Sequence, residues 1–355
     1  MKRIFYFVLL LSISCFAFTK KKTEHFFNAN HQYIQYTGRV DFSNADKPKV
    51  WASGAYVTIK FSGTSFWAQL NDQMVWGKVL NYLEIKIDDR PAYRIQLKEK
   101  VNNLVLAKDL PAGEHVITIC KNSEAENGYI EFVKFSCDKL LPPPAKPKRK
   151  IEFIGDSITC GAGSDESEIP CGKGEWHDQH NAWFAYGPTT ARTLNAQWHL
   201  SSVSGIGLMH SCCDKKVIMP DVFGQTSLAK DTLKWDFNRY QPDVVTVCLG
   251  QNDGIQDSTA FCGAYVNFAK TLRKYYPKAK LVFLTSPMAS KELKVALTKY
   301  ITAVKRQLNK AGDQNIGMYV FSKQANQGCG GHPSLAEHKE IATELTTYLK
   351  KTMKW

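Results

Sequence analysis

At residues 141–147 the chain reads Leu-Pro-Pro-Pro-Ala-Lys-Pro, and the hydrophobic rhythm before this stretch differs from the rhythm after it. From Gln32 to Cys137, apolar and polar residues alternate in short runs. Residues 56–61, 65–70, 82–87, 115–119 and 129–135 carry the period-two pattern of strands buried on one face. Asp88-Asp89-Arg90-Pro91 and Leu110-Pro111-Ala112-Gly113 separate such runs as turns. About eight strands in so short a segment predict a jelly-roll-like β-sandwich.

Beyond the prolines, strands alternate with helices. Strands are expected at 151–154, 197–203, 243–249, 280–285 and 316–321, and helices at 181–194, 260–276, 291–311 and 335–351. Tyr186-Gly187-Pro188 reads as an interruption near the start of the first helix. This alternation predicts a parallel sheet covered on both faces, a three-layer α/β/α domain. A proline-rich segment is stiff and extended. The expected organisation is therefore a sandwich at 24–140, a Pro/Lys-rich linker at 141–150 and an α/β domain at 151–355, and 355 residues accommodate two domains.

Ligands of parallel α/β sheets bind beyond the carboxyl ends of the strands. Three motifs fall there or in late loops: Gly155-Asp156-Ser157, Gly250-Gln251-Asn252-Asp253 and Gly331-His332-Pro333. A serine at a strand-to-helix turn presents its hydroxyl at the sheet edge, beside backbone N–H groups able to stabilise negative charge. A serine hydroxyl needs a base, and an imidazole titrating near neutrality supplies one. Ser157 is the candidate nucleophile and His332 the candidate base. The plainer alternative makes Ser157 a helix cap and His332 a loop residue. Nucleophile, amide donor and base in this order point to acyl transfer.

The order Gly-Asp-Ser, Ser204-Gly205, Gly-x-Asn-Asp and a late His-Pro resembles the SGNH (GDSL-type) hydrolase superfamily. Residues 36–41 (Tyr-Thr-Gly-Arg-Val-Asp), 51–54 (Trp-Ala-Ser-Gly) and 61–65 (Phe-Ser-Gly-Thr-Ser) narrow the likeness to the sandwich-bearing carbohydrate esterase family two. The resemblance implies removal of O-acetyl groups from a plant polysaccharide or oligosaccharide of the xylan or glucomannan type. It implies an acetyl-enzyme intermediate and neither metal nor organic cofactor. It also places an oxyanion hole at the Ser157 N–H, the Gly205 N–H (Gly207 is the second choice) and the Asn252 amide. One departure stands out. The superfamily places Asp three residues before the histidine, where this chain has Cys329, and Gly330 follows. A Ser–His dyad is expected; the resemblance implies backbone carbonyls able to hold the imidazole, and a carboxylate distant in sequence is the alternative. The rival readings are a lipase or thioesterase of the same superfamily, and a carbohydrate-binding protein without catalysis.

Trp176, Trp183 and Tyr186 are candidates for stacking on sugar faces, with core packing as the alternative for each. Cys329-x-x-His332 with Cys212-Cys213, His177 and His180 matches no zinc-ligand spacing. The glycine-rich stretch 155–163 lacks the Gly-Lys-Ser/Thr ending of a phosphate loop.

The formal charge of +13 comes from scattered lysines apart from residues 20–22 and 146–150, which reads as solvated charge rather than a nucleic-acid surface. Attraction to an acidic polysaccharide is a further expectation. Met1-Lys2-Arg3 and the apolar run after it read as a signal peptide over 1–19, and the run is short for a membrane span. A secreted or periplasmic protein is expected. Cys15 offers a lipid anchor, against which Ser12-Ile13-Ser14 is a poor lipobox. Export favours disulfides among the nine other cysteines, with Cys120–Cys137 as a pair and Cys248 as a buried free thiol.

Overall fold

The computed structural model describes residues 25–355. The expected signal segment, Cys15 and the lysines at 20–22 lie outside the described residues. Through Leu141 the chain forms two six-stranded antiparallel sheets that share one apolar core. The first has the order Val40–Asp41, Lys49–Val50, Ile130–Ser136, Phe66–Asp72, Val101–Ala107, with Phe26–Asn28 also on Ile130–Ser136. The second has the order Lys139–Leu141, Tyr56–Ser62, Glu114–Lys121, Tyr82–Ile87, Tyr93–Gln96, and Ile34–Thr37 shares the outer edge of Tyr56–Ser62. Along Phe66–Asp72 every second side chain is buried, as the alternation demands. Phe61, Phe66, Phe132 and Phe135 fill the interior. The sandwich thus has twelve strands rather than eight, because pieces such as Val40–Asp41 and Lys49–Val50 are too short to show a period.

Five parallel strands follow in the order Ala196–Ser202, Arg149–Gly155, Val244–Cys248, Lys280–Leu284, Ile316–Tyr319. Tyr186–Thr193 and Leu335–Met353 bury one face, and Ser258–Tyr275 and Lys291–Lys310 the other. The first helix begins at Tyr186, so Gly187 and Pro188 form its opening turn rather than an interruption. Proline is tolerated there because the first-turn N–H groups have no helical acceptor. Among the described residues no helix is long and apolar enough to cross a membrane.

The cysteine pairing differs from expectation. Cys120 and Cys137 are free and buried, while Cys171 bonds Cys329 and Cys212 bonds Cys213. Cys120 points toward the α/β domain, packing with Ile151 and Trp198, whereas Cys137 sits inside the sandwich core, so the two thiols occupy separate clusters. Cys248 is a buried free thiol.

The two domains interlock. The linker lies against both, with Pro144 O accepting from Gln35 and Pro147 O from Gln197. Trp198 stacks on Tyr56 with centroids 4.1 Å apart. Arg39 of the sandwich enters the α/β domain fully buried. It donates to the Phe223 and Gln225 carbonyls at 2.6 and 2.7 Å, to Ser201 Oγ at 3.1 Å and to Glu152 at 3.3 Å. Deleting one partner of such a buried pair strands the other charge. Arg39→Ala is expected to cost about 3–5 kcal/mol of stability, read by denaturant unfolding. A loss under about 1 kcal/mol would mean that the pair behaves as an exposed one.

Candidate active site

Strand Arg149–Gly155 ends in a sharp turn onto helix Ser157–Cys160. Asp156, not Ser157, caps that helix, accepting from the Ile158 N–H at 3.0 Å. The Ser157 hydroxyl is thereby left for another partner, and it lies 2.8 Å from His332 Nε2. Ser157 is 7 % exposed, so its hydroxyl sits at the floor of the surface.

His332 rides on a tight turn. Its N–H donates to Cys329 O at 3.2 Å, its carbonyl accepts from the Gly328 N–H at 2.6 Å, and Cys329 N–H donates to Gly163 O at 2.7 Å. Among the described residues no carboxylate bonds the ring. Nδ1 is buried and unpaired; the Cys329 and Gly330 carbonyls lie near enough to raise its basicity but close no hydrogen bond to it. Burial and then the neighbouring His180 prevail, and hold the imidazole pKa below its ordinary 6.5. The neutral ring can accept from Ser157 at Nε2 when Nδ1 carries the proton.

The turn after strand Ala196–Ser202 brings Gly205 to the same sheet edge, since Ser202 is in register with Gly155. Gly205 has φ +73°, where glycine is favoured, and its N–H has no partner among the described residues. Gly207 is different: its N–H donates to Ser211 Oγ at 3.0 Å, and a Cβ there would lie 1.9 Å from the His210 carbonyl. Of the two glycines, only Gly205 has a free donor. Asn252 Nδ2 donates to Ile206 O at 2.9 Å and approaches Asp156 Oδ2 at 3.4 Å, spanning the residues next to Gly205 and Ser157. Asp253 accepts from the Leu208, Met209 and His210 N–H groups and fixes the loop beyond.

The three aromatic candidates separate. Trp176 is 44 % exposed, with its ring centroid 5.1 Å from that of His332. Trp183 and Tyr186 are buried, the placement that the core-packing alternative describes. Trp183 lies under Arg192 and against Trp198, and Tyr186 bonds Thr159 Oγ1 at 2.8 Å. The zinc-like set is likewise spent, because Cys329 and Cys171 are a disulfide next to Glu166.

Glu124, from the sandwich, is a site residue that no motif indicated. Its carboxylate accepts from the Ser204 N–H at 2.8 Å and from His180 Nε2 at 3.1 Å. Burial alone would raise the carboxyl pKa, but these two partners hold it down at about 2. His180 Nδ1 accepts from the Gly163 N–H at 3.3 Å, and Gly163 O holds Cys329. One carboxylate thus supports the Ser204-Gly205 turn directly and the His332 turn through His180 and Gly163.

Residues 36–144 match the carbohydrate esterase 2 N-terminal family model, and residues 153–316 match the GDSL-like lipase/acylhydrolase family. The cellulase/esterase CelE of Acetivibrio thermocellus is 32% identical over 91% of this chain, which spans only 40% of that protein's length. An acetylxylan esterase/glucomannan deacetylase of Cellvibrio japonicus is 28% identical over 98% of both chains. The solved structure of a family two carbohydrate esterase from Clostridium thermocellum, in complex with cellohexaose, superposes with a TM-score of 0.83 at 31% identity, covering 91% of this chain and 99% of that one. A Cellvibrio japonicus member gives a TM-score of 0.85 at 27% identity, covering 94% and 99%.

Proposed function

This chain belongs to the family two carbohydrate esterases and is a carboxylic ester hydrolase; from that premise we propose that it is an exported enzyme removing O-acetyl groups from a xylan- or glucomannan-type polysaccharide through a Ser157–His332 dyad. The observation that carries this reading is the 2.8 Å contact between Ser157 Oγ and His332 Nε2. His332 takes the hydroxyl proton as Ser157 attacks the acetyl carbonyl. The oxyanion collects on the Ser157 and Gly205 N–H groups and on the Asn252 amide, once that amide turns from Ile206 O. His332 returns the proton to the departing sugar oxygen, and water cleaves the acetyl-enzyme by the reverse path. While the imidazole is charged, the Cys329 and Gly330 carbonyls face it in place of the absent Asp. Trp176, exposed beside the dyad, is the aromatic surface available to a sugar ring. The apolar segment at the N-terminus supports export.

Acetate release from acetylated xylan and acetylated glucomannan, with aryl acetate and aryl octanoate compared, tests this reading. Release from a polymer and preference for the short acyl group are expected. A folded protein that binds these polymers yet releases no acetate would replace catalysis by carbohydrate binding. Preference for the octanoate would favour the lipase reading.

The lowered pKa of His332 has a direction that kinetics can read. The base works neutral, so activity is lost as pH falls through the folded-state pKa, and that pKa lies below 6.5. The acid limb of kcat/KM on aryl acetate is expected to have its midpoint below pH 6.5; a midpoint above it would contradict the assignment of His332 as base.

Glu124→Gln tests the support of the oxyanion turn. Two N–H donors, from Ser204 and His180, face the carboxylate, and an amide can accept from only one without opposing its own N–H to the other. A fall in kcat of about 10- to 100-fold with KM nearly unchanged is expected. A lower melting temperature with kcat intact would reduce Glu124 to a structural role.

A further inference from the structure

The lysines at 146 and 150 meet a feature that the esterase reading does not use. A cleft of about 650 Å³ runs between the sandwich, the linker and the α/β domain. Its lining includes Lys146, Lys150 and Arg239 and contains no Asp or Glu. Among the described residues none of the three cations makes an ion pair. Lys146 Nζ donates to Tyr36 O at 2.6 Å, Lys150 Nζ stands 5.8 Å from the Tyr240 ring, and Arg239 donates to Val40 O at 3.1 Å while lying over Phe42. Two carboxylates stand next to the lining without belonging to it: Asp243 accepts from the Lys150 backbone N–H, and Asp46 accepts from the Asn30 amide. Three cations converging without a counter-charge make a local positive potential that attracts an anion.

Two side chains of the lining each hold a donor atom that is itself buried and has no partner among the described residues. His199 is 3 % exposed, and its Nε2 accepts from the Gly38 N–H at 3.0 Å, so the proton of its neutral ring is on Nδ1, which has no partner. Trp235, 6 % exposed, carries an Nε1–H that is also unpaired. Buried donors are rarely left unsatisfied. Amide side chains complete the lining: Gln35 and Gln197 each spend an N–H on the linker, which leaves their carbonyl oxygens for hydroxyl groups.

The cleft is remote from the dyad. Lys150 and Gln197 open the strands whose far ends lead to Ser157 and Gly205, and seven residues of strand span about 20 Å. We infer that this interdomain cleft is a second carbohydrate site, which takes a sugar carrying a carboxylate, such as a hexuronic acid branch on a polysaccharide. The cations take the carboxylate, the amides take ring hydroxyls, and the volume suits one or two sugar residues. The choice of a sugar acid over other carboxylates rests on the carbohydrate-ester reading; the site itself requires nothing from the dyad.

Calorimetric titration with glucuronate, with a glucuronate-branched xylotriose, and with neutral xylotriose, acetate and inorganic phosphate tests this, on the wild-type protein and on Lys150→Ala/Arg239→Ala. The branched trisaccharide is expected to bind at least about tenfold more tightly than its neutral counterpart, and more tightly than acetate or phosphate. The double variant is expected to lose that difference while it keeps the wild-type melting temperature and aryl acetate turnover. Binding undiminished in the double variant, or no preference for the charged sugar, overturns the inference. Phosphate or acetate binding as tightly as glucuronate overturns the sugar and leaves an adventitious anion site. Because binding is read without turnover, an inactive esterase that still selects the charged sugar removes the dyad reading alone.

Discussion

Ser157→Ala and His332→Ala are each expected to lower kcat on aryl acetate by about 10⁴- to 10⁶-fold, and the double variant to lose no more than the worse single change. In the proposed dyad the two side chains act as a unit, and their 2.8 Å contact supports that reading. Without the base the hydroxyl keeps its proton, and without the hydroxyl the base has nothing to activate. Gly205 N–H and the Asn252 amide remain in both variants, so a residual rate above that of water is expected from the oxyanion donors. Losses that add in the double variant would show that the two residues act separately, and would end the dyad reading. A His332→Ala enzyme within tenfold of wild type would transfer the base role elsewhere. Neither change should unfold the protein, since Ser157 lies at the surface floor and His332 on an outer turn, and matching melting temperatures check this.

Several of these features are visible in sequence because they are local. Ser157 follows an apolar strand and a glycine, and Gly250-Gln251-Asn252-Asp253 follows another, so chain order alone sets them on one sheet edge. The change of rhythm at the prolines separates antiparallel from parallel sheet in the same way. What the sequence hid depends on distant packing. Glu124 lies 80 residues from Ser204 and 56 from His180, in a different domain, and nothing periodic links them. Trp183 and Tyr186 looked equal to Trp176 because an aromatic residue does not state which way it faces. The turn before helix Tyr186–Thr193 faces both inward, while Trp176, on a short 3₁₀ turn, stays in solvent. Cys120 and Cys137 flank a hairpin region in sequence, yet pleating sends one thiol out of the sandwich and the other into it.

The missing Asp leads to the other large effect. Cys329 holds the position where the superfamily carries the acid, and its disulfide to Cys171 pins the turn bearing His332 to the loop that carries Trp176. An Asp at that position mainly fixes the orientation of the imidazole. Here we expect that work to fall to the covalent tether together with Gly163 O, the Gly328–His332 contact and the ring of Trp176. The bond closes a sequence separation of 158 residues, for which chain entropy gives about 5 kcal/mol. Cys171→Ser is therefore expected to lower stability by up to about 5 kcal/mol. It is also expected to lower kcat by about 10- to 100-fold, through loss of orientation, at temperatures where the variant remains folded. Cys171 is the side to change, because it is exposed whereas Cys329 is buried under the turn. Unfolding curves and kcat, measured on the variant and on wild type with and without dithiothreitol, separate the two effects. Because dithiothreitol also opens Cys212–Cys213, the variant is measured with it as well, and reduced wild type should behave as the reduced variant does. If stability falls and kcat holds, the tether supports the fold and the carbonyls of Cys329 and Gly330 alone suffice to orient His332. If neither changes, the disulfide has no part in the site.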